Sequence, residues 1–446
     1  MSAAPPSSTA LLTDRYELTM LDAALADGTA GRHCVFEVFT RRLPPGRRYG
    51  VLAGTGRVLE AIGAFRFGDA ELAYLAEHRM VTRSTLDHLA AFRFTGSITG
   101  YAEGECFFPF SPVMVVEGTF AEAVVLETLV LSVLNYDSAV ASAASRMTAA
   151  AGDRPCLEMG SRRAHEQAAV AAARAAVVSG FAGTSNLEAG RRYGLPTIGT
   201  AAHAYTLLHD DEASAFASQV AAQGPGTTLL VDTYDVTRGV ARAVEAAGTG
   251  LGAVRLDSGD LLSQSREVRA QLDALGATGT RIVVTSDLDE HAIAALAAAP
   301  VDSYGVGTSV VTGSGAPTCG MVYKLVAREG ADGVLAPVAK ASTRKTSTGG
   351  RKTAARRFGA DGRAVEEVLV TGPDQAVATW ASPTHDLRPL HVPLVAHGAV
   401  DTRWTGSTGV QRAAARHAES RAELPRTARR LSAGEPALPT TTLTLD

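Results

Sequence analysis

A chain of 446 residues is too long for one small domain, so two domains, or one large barrel with an added layer, is the expectation. Hydrophobic residues make up 46%, enough for a sizeable core and against wholesale disorder, and a net charge of −4 argues against a nucleic-acid partner. The four cysteines (Cys34, Cys106, Cys156, Cys319) form no C-x-x-C pair, no run reaches about 18 apolar residues, and "MSAAPPSSTALL" lacks the pattern of a signal peptide. These features predict a reduced, cytoplasmic protein with no membrane span.

In chain order, residues 14–27 read as an amphipathic helix and "CVFEVFTR" (34–41) as a strand. Residues 93–105 and 112–118 read as strands of an antiparallel sheet, and about 120–149 as a long helix. From about 155 to 310 the chain alternates short apolar runs with helical stretches. The runs are 155–159, 180–183, 196–199, 228–232, 252–256, 281–285 and 303–307. The helices fall at 164–179, 186–193, 203–222, 236–248, 260–275 and 288–298. This rhythm predicts parallel strands covered by helices. No G-x-G-x-x-G follows any run, so an irregular β/α barrel is expected rather than an open doubly wound sheet. Beyond it, "MVYKLVARE" (321–329), 366–370 and 392–398 suggest further strands, 341–356 a basic loop, and 407–432 a basic helix. "PALPTTTLTLD" reads as a loose tail. The expected organisation is an α+β domain with a linking helix over 1–150, a catalytic barrel over 151–320, and a segment, 321–446, that returns to the α+β domain.

Chemistry in such barrels sits at the C-terminal ends of the strands. Those positions carry Arg162 and Arg163, Thr184 and Ser185, Thr200 and His203, Asp232 and Asp235, then Arg255, Asp257 and Asp260, then Ser286 and Asp287, and finally "GVGTS" with Gly307, Thr308 and Ser309. "GVGTS" offers close backbone approach and hydroxyls beside N–H groups, a phosphate cradle, although it also reads as a structural turn. "RLDSGD" places Asp257 and Asp260 three residues apart beside Arg255, which suits Mg²⁺ carrying a diphosphate; the alternative is a helix cap. Arginines suit carboxylates and phosphates through bidentate pairing. The rim therefore points to an anionic, phosphorylated substrate with a metal.

"TDRYELTM" (13–20), "FEVFTRRLP" (36–44), "EMGSRRAH" (158–165), "GTAAHAY" (199–205), "RLDSGDL" (255–261) and "GVGTSVVT" (305–312), in this order, strongly resemble the nicotinate phosphoribosyltransferase family. The match is close over residues 11–326 and loose beyond. At "STGGRK" (347–352) Gly349 replaces the proline of the family's Pro-Gly-x-Lys turn. The resemblance implies a type II phosphoribosyltransferase fold, an irregular barrel plus an α+β domain, in a homodimer. It implies nicotinate, 5-phosphoribosyl 1-diphosphate and ATP as substrates, and an ATP-coupled synthesis of nicotinate mononucleotide for NAD salvage. By the same resemblance, His203 is transiently phosphorylated, Tyr16, Thr200 and Arg255 hold nicotinate, Thr308 binds the phosphoribosyl diphosphate, and Arg162 or Arg163 assists. Nicotinamide phosphoribosyltransferase, quinolinate phosphoribosyltransferase and a catalytically inactive nucleotide-binding barrel are the rival readings.

Overall fold

The computed structural model describes residues 8–340, 348–380 and 386–445. The chain divides into a contiguous unit, Ala143–Gly315, and a discontinuous unit of Met1–Ser142 with Ala316–Asp446.

The contiguous unit is organised by one parallel sheet. Its six strands lie in the order Gly183–Thr184, Cys156–Glu158, Ser303–Val306, Arg281–Val284, Ala253–Leu256, Thr228–Leu230. Their apolar residues (Leu229, Val254, Leu256, Ile282, Val284, Tyr304 and Val306) are buried, as expected where helices cover the strands. Helices Glu166–Val178, Leu187–Tyr193, Val236–Ala247, Leu261–Ala274 and Glu290–Ala295 follow the predicted stretches. Each polar residue preceding a helix does the work of a cap: Asn186, Asp235, Asp260 and Asp289 accept backbone N–H groups of the first turn.

Three details of this unit differ from the sequence reading. "PTIG" contributes only an isolated bridge, Thr184 to Thr197. The strand expected at 180–183 forms at Gly183–Thr184, because Gly180 takes a left-handed turn (φ +95°) and Phe181 is buried. The single helix expected over 203–222 is two, His203–Leu208 and Glu212–Gln223. Asp211 is extended and accepts the Ser214 N–H, which starts a new helix.

The discontinuous unit holds a seven-stranded sheet in the order Leu335–Pro337, Met321–Glu329, His33–Thr40, Met114–Thr119, Ser97–Tyr101, His391–Ala396, Ala399–Val400. Strand His33–Thr40 pairs antiparallel with both Met114–Thr119 and Met321–Glu329, so segments about 290 residues apart lie side by side (Cys34 opposite Arg328). Phe36, Phe65, Phe92, Tyr101 and Tyr323 anchor its core. Helices Thr55–Gly63, Asp69–Glu77 and Arg83–Ala90 were not anticipated. The long helix expected over 120–149 is broken: Thr119 and Glu122 form a capping box on Phe120–Val124, and Glu127–Ala151 follows. No described helix is long and apolar enough to cross a membrane.

A four-stranded sheet, in the order Leu387–Pro389, Lys352–Phe358, Ala364–Thr371, Thr440–Thr444, corrects two expectations. The tail is not loose: its threonines, β-branched and suited to strands, pair parallel with Glu367–Thr371. The second half of the basic loop is a strand, Lys352–Phe358, while residues 341–347 lie outside the described residues.

Arg356 explains how a basic segment enters a core. Its guanidinium is fully buried and meets Glu105 at 2.7 Å, Glu367 at 3.0 Å and the Cys106 carbonyl at 2.7 Å. Glu105 also meets Arg388 at 3.0 Å and Arg416 at 3.3 Å. Burial by itself would raise the Glu105 carboxyl; Arg356, Arg388 and Arg416 overcome it and hold the group down at about 2. The stabilisation from Glu105 is therefore fully present above the usual carboxylate range and is lost as pH falls towards about 2. Arg356→Met leaves Glu105 and Glu367 buried with a partner missing. Urea unfolding should show a loss of about 3–5 kcal/mol, and a change below about 1 kcal/mol would contradict the assignment.

Candidate active site at the strand ends

Parallel pairing brings the C-terminal ends of the six strands to one edge of the sheet. After Thr228–Leu230 comes Asp232, and after Ala253–Leu256 comes Asp257. The two loops are tied together: Asp232 Oδ2 accepts the Asp257 N–H at 2.7 Å and the Ser258 hydroxyl at 2.9 Å. The other oxygen, Asp232 Oδ1, is buried, has no hydrogen-bond donor among the described residues and lies 4.0 Å from His203 Nε2. Asp257 Oδ2 lies 3.8 Å from the same nitrogen, and the Thr285 hydroxyl donates to Asp257 Oδ1. His203 Nδ1 sits 3.1 Å from the Thr233 hydroxyl. The imidazole thus has a carboxylate pair on one nitrogen and a hydroxyl on the other.

His203 opens helix His203–Leu208, with Ala202 at the cap and Ala201 and Ala204 as neighbours, so the ring is only half-buried. Arg255 is the last polar position of its strand. Its Nη1 donates to the Thr200 hydroxyl at 2.6 Å and the Ala201 carbonyl at 3.1 Å, and its Nη2 lies 3.8 Å from Asp257. Burial pushes the Arg255 guanidinium down, Asp257 and Asp232 push it up, and Arg162 adds a like charge that pushes it down. The Arg255 Nε is buried and has no acceptor among the described residues.

A cleft of about 290 Å³ opens beside this group. Arg162, Arg163, Arg255, Asp257, Thr285, Ser286, Asp287, Gly307 and Thr308 line it. Both candidate arginines of "SRR" therefore face one cavity, from the short turn Ser161–Arg163. Gly305, at the cleft wall, has no room for a side chain: a Cβ there would lie 2.5 Å from Thr285 Cγ2 and 2.8 Å from Met159 Sδ. Ser309 follows Thr308 on the same one-turn helix and is half-buried.

Two of the expected residues, Asp260 and Tyr16, take no part in these hydrogen bonds. Asp260 caps helix Leu261–Ala274, accepting from the Leu262 and Ser263 N–H groups and the Ser263 hydroxyl, so its carboxylate is already engaged. Tyr16 belongs to the discontinuous unit, on the first turn of helix Arg15–Asp27, and its ring is 45% exposed. Burial, together with Glu127 and Glu17, pushes its phenol up to about 12, which keeps it a neutral hydrogen-bonding ring.

Two contributors, Thr233 and Glu158, were not singled out from the sequence, and Asp232 was read only as one strand-end aspartate among several. Asp232 and Thr233 sit in "VDTYD", where a strand-end aspartate gives a weak signal that only the orphaned oxygen sharpens. Glu158 is buried and holds the turn that carries Arg162 and Arg163. Its carboxylate accepts the Gly160 N–H and the Thr184 hydroxyl, each at 2.5 Å. Burial raises its carboxyl, and those two donors oppose the rise. Among the described residues no group of three or more His, Cys, Asp and Glu side chains is arranged to hold a metal alone. Asp232 Oδ1 and Asp257 Oδ2 are the donors open to a hard cation, which would keep water or ligand oxygens for its remaining positions.

Comparison with known proteins covers most of the chain. A model of the nicotinate phosphoribosyltransferase N-terminal domain matches residues 11–135, and the model of the nicotinate phosphoribosyltransferase family matches 155–358. The nicotinate phosphoribosyltransferase pncB1 of Mycobacterium tuberculosis is 56% identical over 441 residues, 97% of this chain and 95% of that protein. The nicotinate phosphoribosyltransferase of Bacillus subtilis is 40% identical over 77% of this chain and 72% of its own length. The crystal structure of human nicotinic acid phosphoribosyltransferase superimposes with a TM-score of 0.79 at 26% identity, covering 95% of this chain and 96% of that one. These neighbours bear out the type II phosphoribosyltransferase fold.

Glu158→Ala orphans a buried N–H and a buried hydroxyl at the root of the arginine turn. Urea unfolding should register a loss of about 1–3 kcal/mol for each group left unpaired, while Glu158→Gln, which keeps an acceptor, should recover part of it.

Proposed function

The chain belongs to the nicotinate phosphoribosyltransferase family, and from that premise we propose that it joins nicotinate to 5-phosphoribosyl 1-diphosphate, giving nicotinate mononucleotide and diphosphate, with ATP hydrolysis coupled through His203. The observation that carries this reading is the cluster of His203, Asp232, Asp257 and Arg255 at adjacent strand ends, each in contact or within 4.0 Å of the next.

Arg255 pairs with the nicotinate carboxylate, taking it in exchange for its present bonds to Thr200 and Ala201. Thr200 stays beside the ring, and Tyr16 is the aromatic platform the resemblance implies. Arg162, Arg163, Gly307, Thr308 and Ser309 bind the phosphoribosyl diphosphate along the cleft. The pyridine nitrogen attacks the anomeric carbon as the carbon–oxygen bond to diphosphate breaks, and the electron pair leaves with that oxygen. The reaction needs no protein nucleophile at the sugar, so positioning and charge stabilisation carry the rate.

The nucleophile for ATP is the imidazole. The carboxylates of Asp232 and Asp257 favour a proton on Nε2, which leaves the Nδ1 lone pair to attack the γ-phosphorus with departure of ADP. Hydrolysis of the phosphohistidine later releases phosphate and restores the ring. Phosphorylation adds negative charge at the rim and changes the balance around Arg255. Mg²⁺, when bound with the diphosphate, neutralises charge on the leaving group; Asp257 and Asp232 fit that role better than Asp260, which is committed to its helix cap. Homodimer assembly and a cytoplasmic setting belong to the same proposal, the former read by light scattering.

Incubation with Mg²⁺, phosphoribosyl diphosphate and nicotinate or nicotinamide, with and without ATP, tests the reading. Nicotinate mononucleotide should form, and faster with ATP; product from nicotinamide alone would keep the fold and overturn the substrate. His203→Ala should abolish stimulation by ATP and leave a slow uncoupled transfer, and unchanged stimulation would refute the phosphohistidine. Arg255→Ala should raise KM for nicotinate by about tenfold or more through loss of a charge-assisted pair, and equal losses with nicotinamide would defeat the carboxylate assignment.

A further inference from the structure

A second cleft, of about 340 Å³, lies in the discontinuous unit, among residues to which no role in the reaction has been given. Helix Arg15–Asp27 supplies Met20, Ala23 and Ala24 to one wall, and Phe120 and Leu325 form the other. Cys34, buried to 1% exposure, lies among the lining side chains. These side chains are apolar. Arg32 and Arg328 add two half-buried guanidinium groups.

Neither guanidinium forms an ion pair among the described residues. Arg328 spends one N–H on the Glu329 carbonyl at 3.2 Å. Asp27 Oδ1 accepts the Thr29 N–H at 2.9 Å and its hydroxyl at 2.6 Å, Glu329 Oε2 accepts the His33 N–H at 3.1 Å, and among the described residues neither carboxylate comes within ion-pair distance of Arg32 or Arg328. An apolar cleft whose lining charge is two guanidiniums against one carboxylate is complementary to a molecule with an apolar body and a single negative charge. A phosphate monoester carries more charge than this balance accepts and brings little to the apolar walls. A planar carboxylate fits the donor fork of either arginine.

We propose that this cleft binds a small monocarboxylate with an apolar body, an aromatic acid or a short acyl acid, with Arg32 and Arg328 on the carboxylate and Met20, Phe120 and Leu325 on the body. The occupant packs against the helix whose first turn presents Tyr16, and so ties that helix to the sheet through the ligand.

The full-length protein labelled with [methyl-¹³C]methionine tests this by NMR, because the Met20 methyl lines the cleft and the chain has only seven methionines to assign. Benzoate and hexanoate are the probes, and benzyl alcohol and hexanol their neutral counterparts. At least one acid should shift the Met20 methyl saturably, with its alcohol about tenfold weaker or silent, and Arg328→Gln should weaken the acid by about tenfold. The acid that binds identifies the body as aromatic or acyl. Met20→Trp fills the cleft and should abolish binding, read on the ligand by saturation transfer. Acid binding that survives Met20→Trp resides elsewhere, at the barrel rim included, and overturns the proposal. So does the absence of a saturable shift with both acids up to about 10 mM, an equal response to acid and alcohol, or indifference to Arg328→Gln. Met20 is 36% exposed and, among the described residues, the Arg328 guanidinium hydrogen-bonds to a backbone carbonyl and to no side chain, so both variants should fold, which thermal unfolding checks.

Discussion

The bond between Asp232 and the backbone of Asp257 is the constraint on which the site depends. One carboxylate oxygen ties two adjacent strand ends together; the other is left buried, without a donor, facing the histidine. A buried, unsatisfied carboxylate oxygen is costly, and proteins keep such groups where chemistry uses them. The pairing also fixes the position of Asp257, and through it the settings of Thr285, Arg255 and His203. Asp257, Thr285, Arg255 and His203 are thus each bonded to a group from another strand's loop.

The rhythm of the parallel sheet was legible because burial on both faces leaves unbroken apolar runs and because aspartates cap the helices that follow. Six of seven runs are strands, and the one that failed, "PTIG", is too exposed and too short to do more than bridge at Thr197. The flanks were harder to read. Lys352–Phe358 looked like a loop because its sequence is basic, yet Arg356 is buried between Glu105, 251 residues away in sequence, and Glu367, which faces it on the paired strand. The terminal threonines looked unstructured for a similar reason: their partner strand supplies the order. At the site, the motif residues were visible as types at strand ends. Asp260 and Asp232 show the limit of that approach. Both are strand-end aspartates, and only the hydrogen bonds separate a helix cap from an open carboxylate.

The two units solve the problem of burying charge in different ways. In the discontinuous unit, Glu105 and Arg356 are enclosed among several opposite charges, and the network is a matter of stability. At the barrel rim, the charges are incompletely matched. Arg162 and Arg163 face the cleft beside Arg255, and the like charge of Arg162 presses on Arg255. That mismatch is what an anionic substrate relieves, so the rim is arranged for a guest where the sheet unit is arranged for itself.

The pairing of His33–Thr40 with Met321–Glu329 sets an order of assembly on the ribosome. The unit built on the parallel sheet is continuous in the chain and can fold once residue 315 has emerged. Strand His33–Thr40 can pair early with Met114–Thr119 on one side, but its other edge has to wait until the whole contiguous unit has been translated. Throughout that interval the nascent chain carries a strand rich in Val and Phe with one edge unpaired. It is the stage at which the protein is most exposed to association with its own copies, and at which a chaperone would have most to shield.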